Sequence, residues 1–133
     1  MINNVHNMQY RKILLIDDDE DDQEIFISAL ENTAKQVSCL TFKDAREALS
    51  KLASKEISPE LIFLDLNMPM MDGQQFLTEI KKDEALSDIH IIILSTSSHR
   101  GTIQLMKELG AQDFITKPDK FEDLVRILDS VLN

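Results

Sequence analysis

Cysteine occurs once among the 133 residues, at position 39, which excludes an internal disulfide. Cys39 lies in the apolar stretch Val37-Ser38-Cys39-Leu40 and reads as a small buried hydrophobe. No apolar run approaches the ~20 residues that a membrane-spanning helix needs, and Met1 to Asn7 lacks the charged start and apolar stretch of a signal peptide. The reading is a cytoplasmic chain without a membrane partner. Basic residues are few, 14 Lys and Arg against 24 Asp and Glu, and the net charge of -10 repels phosphate backbones and anionic lipid alike. That balance excludes nucleic acid as a partner and suits proteins instead. Long linkers, internal repeats and low-complexity segments are also missing. With 43% hydrophobic content, the chain is then expected to form one domain around one core.

What is there alternates. Short apolar runs stand at Ile13-Leu14-Leu15-Ile16, Val37 to Phe42, Leu61-Ile62-Phe63-Leu64, Ile89 to Leu94, and Phe114-Ile115, and these predict five strands. The first, third and fourth are almost unbroken, the pattern of strands covered on both faces of a parallel sheet. Helical spacing by threes and fours runs through Ala45, Ala48, Leu49, Leu52 and through Phe121, Leu124, Val125, Leu128, Val131. Asp44 with Glu47 predicts a capping box, Asp72-Gly73 the start of a third helix, and Gly110 after Leu109 a helix end. Strand then helix, five times over, predicts a doubly wound α/β domain with helices on both faces of a five-stranded parallel sheet.

In such a sheet the site lies beyond the carboxyl ends of the strands. After the first run come Asp17-Asp18-Asp19; after the third, Asp65-Leu66-Asn67; after the fourth, Ser95-Thr96; after the fifth, Lys117-Pro118. Carboxylates gathered at one edge repel one another, and a hard divalent cation relieves that repulsion. Mg²⁺ suits a site with one or two carboxylates, because water and phosphate oxygens complete its octahedron. Asp19, Glu20, Asp21 and Asp22 read instead as a solvated acidic helix start. Met68, Met70 and Met71 read as loop and core packing.

Ile13-Leu14-Leu15-Ile16-Asp17-Asp18-Asp19, Leu64-Asp65-Leu66-Asn67-Met68-Pro69-Met70-Met71-Asp72-Gly73, Ile93-Leu94-Ser95 and Thr116-Lys117-Pro118 resemble the motifs of bacterial two-component receiver domains. The likeness is to chemotaxis-regulator-like, single-domain response regulators and covers about residues 11 to 132. It implies a flavodoxin-like (βα)5 fold, a tail over residues 1–10, a receiver domain over 11–133, and no output domain. It makes Asp65 the phosphoacceptor and places Mg²⁺ on Asp17, Asp18, Asp65 and the backbone carbonyl of Asn67. Ser95 would turn its hydroxyl toward the phosphoryl group, Lys117 would pair with its charge, and Phe114 would change packing in step with Ser95. Asn67 and Ser97 would flank the point where hydrolysis is tuned.

The resemblance further implies a cis Lys117-Pro118 peptide, and a phosphoryl donor that is a sensor histidine kinase or a histidine phosphotransfer protein. His6, His90 and His99 do not stand at strand-end site positions. The signal would pass to a downstream protein, so the chain is a phosphoacceptor rather than an enzyme with a separate substrate. Three residues depart from the pattern: Thr96 where a small residue is common, Phe114 without a phenol, and Asp119 where an apolar residue is usual.

Competing patterns are less complete. A haloacid-dehalogenase-like phosphatase would use Asp17 as nucleophile but leaves Asp65 unexplained. A calcium loop on Asp17, Asp19 and Asp21 has Asp22 in place of its glycine and Ser28 in place of its final glutamate. A pseudo-receiver acting only by protein contact would not need the full residue set.

Overall fold

A computed structural model describes residues 10–96 and 99–132. The tail before Tyr10 and Ser97 lie outside the described residues. Five strands, β1 Lys12–Ile16, β2 Ser38–Phe42, β3 Leu61–Leu64, β4 His90–Ser95 and β5 Asp113–Thr116, alternate with five helices. The helices are α1 Glu20–Glu31, α2 Ala45–Ala53, α3 Gly73–Lys82, α4 Arg100–Glu108 and α5 Phe121–Val131. All strand pairs are parallel, in the order β2-β1-β3-β4-β5, so the fold is flavodoxin-like α/β as the alternation predicts.

Strand side chains point alternately to opposite faces, and here both faces are apolar. Ile13 and Leu15 of β1, Leu61 and Phe63 of β3, and Ile92 and Leu94 of β4 pack with Phe26, Ala29 and Leu30 of α1 and with Leu124, Leu128 and Leu132 at the chain's last helix. Their neighbours Leu14, Ile16, Ile62, Leu64, Ile91 and Ile93 pack with Ala48 and Leu52 of α2, Phe76, Leu77 and Ile80 of α3, and Met106 of α4. This two-sided burial is why those runs read as unbroken. A fully buried leucine contributes roughly 1.5–3 kcal/mol, so two such layers hold the sheet rim in place. No helix among the described residues is long and apolar enough to cross a membrane.

Local signals set the helix starts. Asp19 caps α1 by accepting the N–H groups of Asp21 and Asp22, and Asp72 caps α3 in a capping box completed by Gln75. The box expected between Asp44 and Glu47 does not form. Asp44 accepts the Arg46 N–H, the Arg46 guanidinium folds back onto the same carboxylate at 3.1 Å, and the return bond from the Glu47 side chain to the Asp44 N–H is not made. Cys39 is half-buried rather than enclosed, because β2 is an edge strand. Burial still pushes its thiol up to about 12, leaving it a poor nucleophile.

Candidate functional site

The sheet order reverses direction at β1 and β3, the place where open parallel sheets keep a crevice. Ile16 and Leu64 are register partners, and the ladder runs one residue further: the Asp65 N–H donates to the Ile16 carbonyl at 3.0 Å. On the other side the Asp17 N–H donates to the Phe42 carbonyl at 3.0 Å. Backbone pairing thus sets the two acids side by side at the ends of neighbouring strands. Gln23 reinforces the turn, its side-chain amide reaching the Asp17 carbonyl at 2.7 Å.

Asp17, Asp18 and Asp65 bring one carboxylate oxygen each within 4.8 Å of one another. Asp17 and Asp65 are buried and Asp18 is exposed, so the cluster sits at a rim, closed below and open above. All-oxygen donors of net negative charge, with a route to water, fit a hard divalent cation. Asp19 is not among them, because its carboxylate is engaged as the helix cap.

Lys117 arrives from the far side. Ser95 and Thr116 are register partners, and the Lys117 N–H donates to the Ser95 carbonyl at 2.7 Å, which carries the chain toward the acids. Its ammonium stands 3.1 Å from Asp17 Oδ2, 3.0 Å from Asp22 Oδ2 and 4.0 Å from Asp65 Oδ1. The cis Lys117-Pro118 peptide implied by resemblance is not found; no peptide bond among the described residues is cis. Trans is the cheaper isomer even before proline, and the backbone bond to Ser95 already delivers Lys117 to the site.

The charges follow from this geometry. Burial raises the Asp65 carboxyl to about 6; Lys117 opposes that and the Asp17 charge adds to it. Asp17 is also raised, by burial first, against the pull of the Asp19 N–H and Lys117. Burial works against the Lys117 ammonium, yet its bond to Asp22 and the charges of Asp17 and Asp65 together outweigh burial and raise it. The site is a buried, electron-rich carboxylate with one cation beside it and room for another.

Ser95 is fully buried at the end of β4, Phe114 is half-buried against the α2–α3–α4 layer, and Asn67 is exposed at the rim. Asp22, expected among the solvated acids, is instead a direct partner of Lys117. No local sequence signal separates it from Glu20 and Asp21, because any carboxylate in the first turn of α1 is favoured by the helix dipole whether or not a lysine faces it. A cleft of about 340 Å³ opens beside Lys117, with Ile25, Phe26 and Phe121 among its walls.

A doubly wound sheet carrying three acids and a lysine at its switch point defines an α/β domain with a candidate divalent-cation site. Residues 13–129 match the response regulator receiver domain, and the chain belongs to that family, a signalling module of two-component systems rather than an enzyme of the usual kind. The probable C4-dicarboxylate response regulator DctR of Bacillus subtilis is 34% identical over 118 residues, which cover 89% of this chain and 50% of that protein. The chain thus spans half the length of that relative. Response regulator Rcp1 of Synechocystis sp. is 27% identical over 124 residues, covering 90% of this chain and 84% of Rcp1. The structure of Rcp1 in its Mn²⁺-bound form is similar with a TM-score of 0.81, covering 91% of each chain. That of the phosphorylated cyanobacterial phytochrome response regulator RcpA is similar at 0.83, with 32% identity over 92% of this chain and 91% of that one.

Proposed function

We propose that this receiver domain takes a phosphoryl group from a phosphohistidine onto Asp65 and signals through the resulting change at Ser95 and Phe114. The observation that carries the reading is the Asp65 carboxylate, held near Asp17 and Asp18 and 4.0 Å from the Lys117 ammonium. An Asp65 oxygen attacks phosphorus, a P–O bond forms, the P–N bond to the donor imidazole breaks, and its electron pair returns to that ring. Asp65 is ionised at neutral pH despite its raised pKa, so the nucleophile needs no separate base. Lys117 stabilises the negative oxygens of the transferring group. Mg²⁺, held by Asp17, Asp18, Asp65 and the Asn67 carbonyl, would supply further neutralisation of that charge. The Mn²⁺-bound state of Rcp1 and the phosphorylated state of RcpA support the two halves of this reading.

The donor is a protein, a sensor histidine kinase or a histidine phosphotransfer protein. Ile25 and Phe121, 49% and 40% exposed, give the cleft beside Lys117 an apolar margin that such a protein would cover. On the output side, the Ser95 hydroxyl would be drawn to the phosphoryl oxygens and the pull would pass along the chain to α4. Of the residues of α4 only Met106 is buried, so little packing opposes a shift of that helix. The domain is read as spanning residues 11–133, acting in the cytoplasm on a downstream protein.

Treatment with acetyl phosphate and Mg²⁺, followed by mass spectrometry of peptides, should place the added phosphoryl group on Asp65. Asp65→Asn should abolish it; a label retained by that variant would sink the reading. Profiling against the host's histidine kinases, and a pull-down with the phosphoryl mimic beryllofluoride, would then identify the donor and the target.

A further inference from the structure

Lys117 has one more anionic partner than its role beside a phosphoryl group requires. An ammonium can direct three N–H bonds. In the resting site one goes to Asp17 at 3.1 Å and one to Asp22 at 3.0 Å, while Asp65 lies at 4.0 Å, outside bonding distance. Asp17 belongs to the three-acid cluster; Asp22 does not. A divalent cation held by that cluster would take up the Asp17 charge that now holds Lys117, and would repel the ammonium. Lys117 is a point charge on a flexible stem, so losing Asp17 with no other partner would release it toward water.

Asp22 is placed to prevent this. Its N–H is fixed by the Asp19 cap at 3.1 Å, which anchors it in the first turn of α1, and its carboxylate meets Lys117 from outside the cluster. A phosphoryl group extends outward from Asp65, so Lys117 can reach its oxygens across the remaining gap without leaving Asp22. We infer that Asp22 is a positioning residue: its ion pair with Lys117 keeps the ammonium beside Asp65 when a divalent cation engages Asp17. The inference rests on the phosphoacceptor reading and deepens it.

Two measurements test it. In a crystal structure of the Mg²⁺-bound wild type, Lys117 should remain in hydrogen-bond contact with Asp22 while its distance to Asp17 lengthens; separation from Asp22 in that state would overturn the inference. Beryllofluoride affinity at saturating Mg²⁺ should fall about threefold to tenfold in Asp22→Asn and recover in Asp22→Glu, which restores the ion pair. In a Lys117→Met background the Asp22→Asn change should shift affinity less than about twofold, since the acid acts through the lysine. A bare negative charge would do the opposite, because its removal would tighten binding of an anionic probe in both backgrounds. Tighter or unchanged binding in Asp22→Asn would therefore also overturn it. Failure of wild type to bind beryllofluoride would count against phosphoacceptance itself, with the Mg²⁺-bound structure still deciding for or against Asp22.

Discussion

Gly73 lies against the backbone of Asp65: a Cβ on Gly73 would stand 2.7 Å from the Asp65 carbonyl oxygen and 2.9 Å from the Leu66 Cα. The Gly73 N–H also donates to the Leu66 carbonyl at 3.0 Å, so α3 begins with its backbone pressed onto the turn that carries the proposed phosphoacceptor. The contact is with backbone, which cannot rotate aside as a side chain can. Gly73→Ala is therefore expected to cost about 1–3 kcal/mol of stability and to displace Asp65. Urea denaturation measures the first effect and acetyl phosphate labelling the second. Wild-type values for both would show that the turn yields more readily than its packing implies.

Asp65 also sets a pH dependence. Its carboxyl titrates at about 6 in the folded chain against the ordinary 3.8, so ionisation is less favourable folded than unfolded. The resulting penalty is absent below pH 3.8, grows as pH rises toward 6, and is complete above that. A shift of this size sets a ceiling of about 3 kcal/mol, and screening at the open rim reduces it to about 1–2 kcal/mol. Asp65→Asn should accordingly be more stable than wild type by that amount at pH 7 in a chelator, with the gain nearly gone at pH 4. Denaturation midpoints at the two pH values decide it; an equal gain at both would remove the titration argument.

The two raised acids show what was legible in the chain and what was not. Asp17 and Asp65 each follow an apolar run, and two-sided burial makes such runs continuous, so strand ends and site edge could be read together. β2 shows less: at the sheet edge none of its residues is fully buried, Leu40 is half exposed, and Val37 falls outside the strand. Asp22 was hidden among five acids after Asp17, since composition at a helix start looks the same whether a carboxylate meets water or Lys117. The Lys117-Pro118 peptide was not legible at all: resemblance implied cis and the bond is trans, because the choice of isomer before proline depends on tertiary contacts that a dipeptide does not display.

Filling the cation site should stabilise the folded chain. Three carboxylates that repel one another within 4.8 Å lose that repulsion when Mg²⁺ binds, and the unfolded chain offers no such cluster. At a hundredfold excess over Kd the gain is about 2.7 kcal/mol. For a domain of this size that corresponds to a rise in Tm of roughly 10 °C. Asp18→Asn should lose most of the rise, although Asp18 is exposed and contributes little to packing. Thermal unfolding with Mg²⁺ and with chelator gives the comparison, and a full rise in Asp18→Asn would place the cation elsewhere.

The last prediction concerns the end of the sheet away from the acids' chemistry. Gly110 follows α4 with φ +110°, a backbone conformation that side chains disfavour, and a Cβ there would meet Lys81 Cε at 2.9 Å. Lys81 is held in place: its ammonium donates to the Ser87 carbonyl at 2.9 Å, and burial lowers its pKa. Gly110→Ala thus carries two costs, backbone strain and displacement of a lysine that ties α3 to the loop before β4, together about 1–3 kcal/mol. In a Lys81→Ala background only the strain remains, so the same substitution should cost less there. A double-mutant cycle by urea denaturation isolates the difference. Equal costs in both backgrounds would mean that the glycine is required for its backbone alone and that Lys81 moves aside freely.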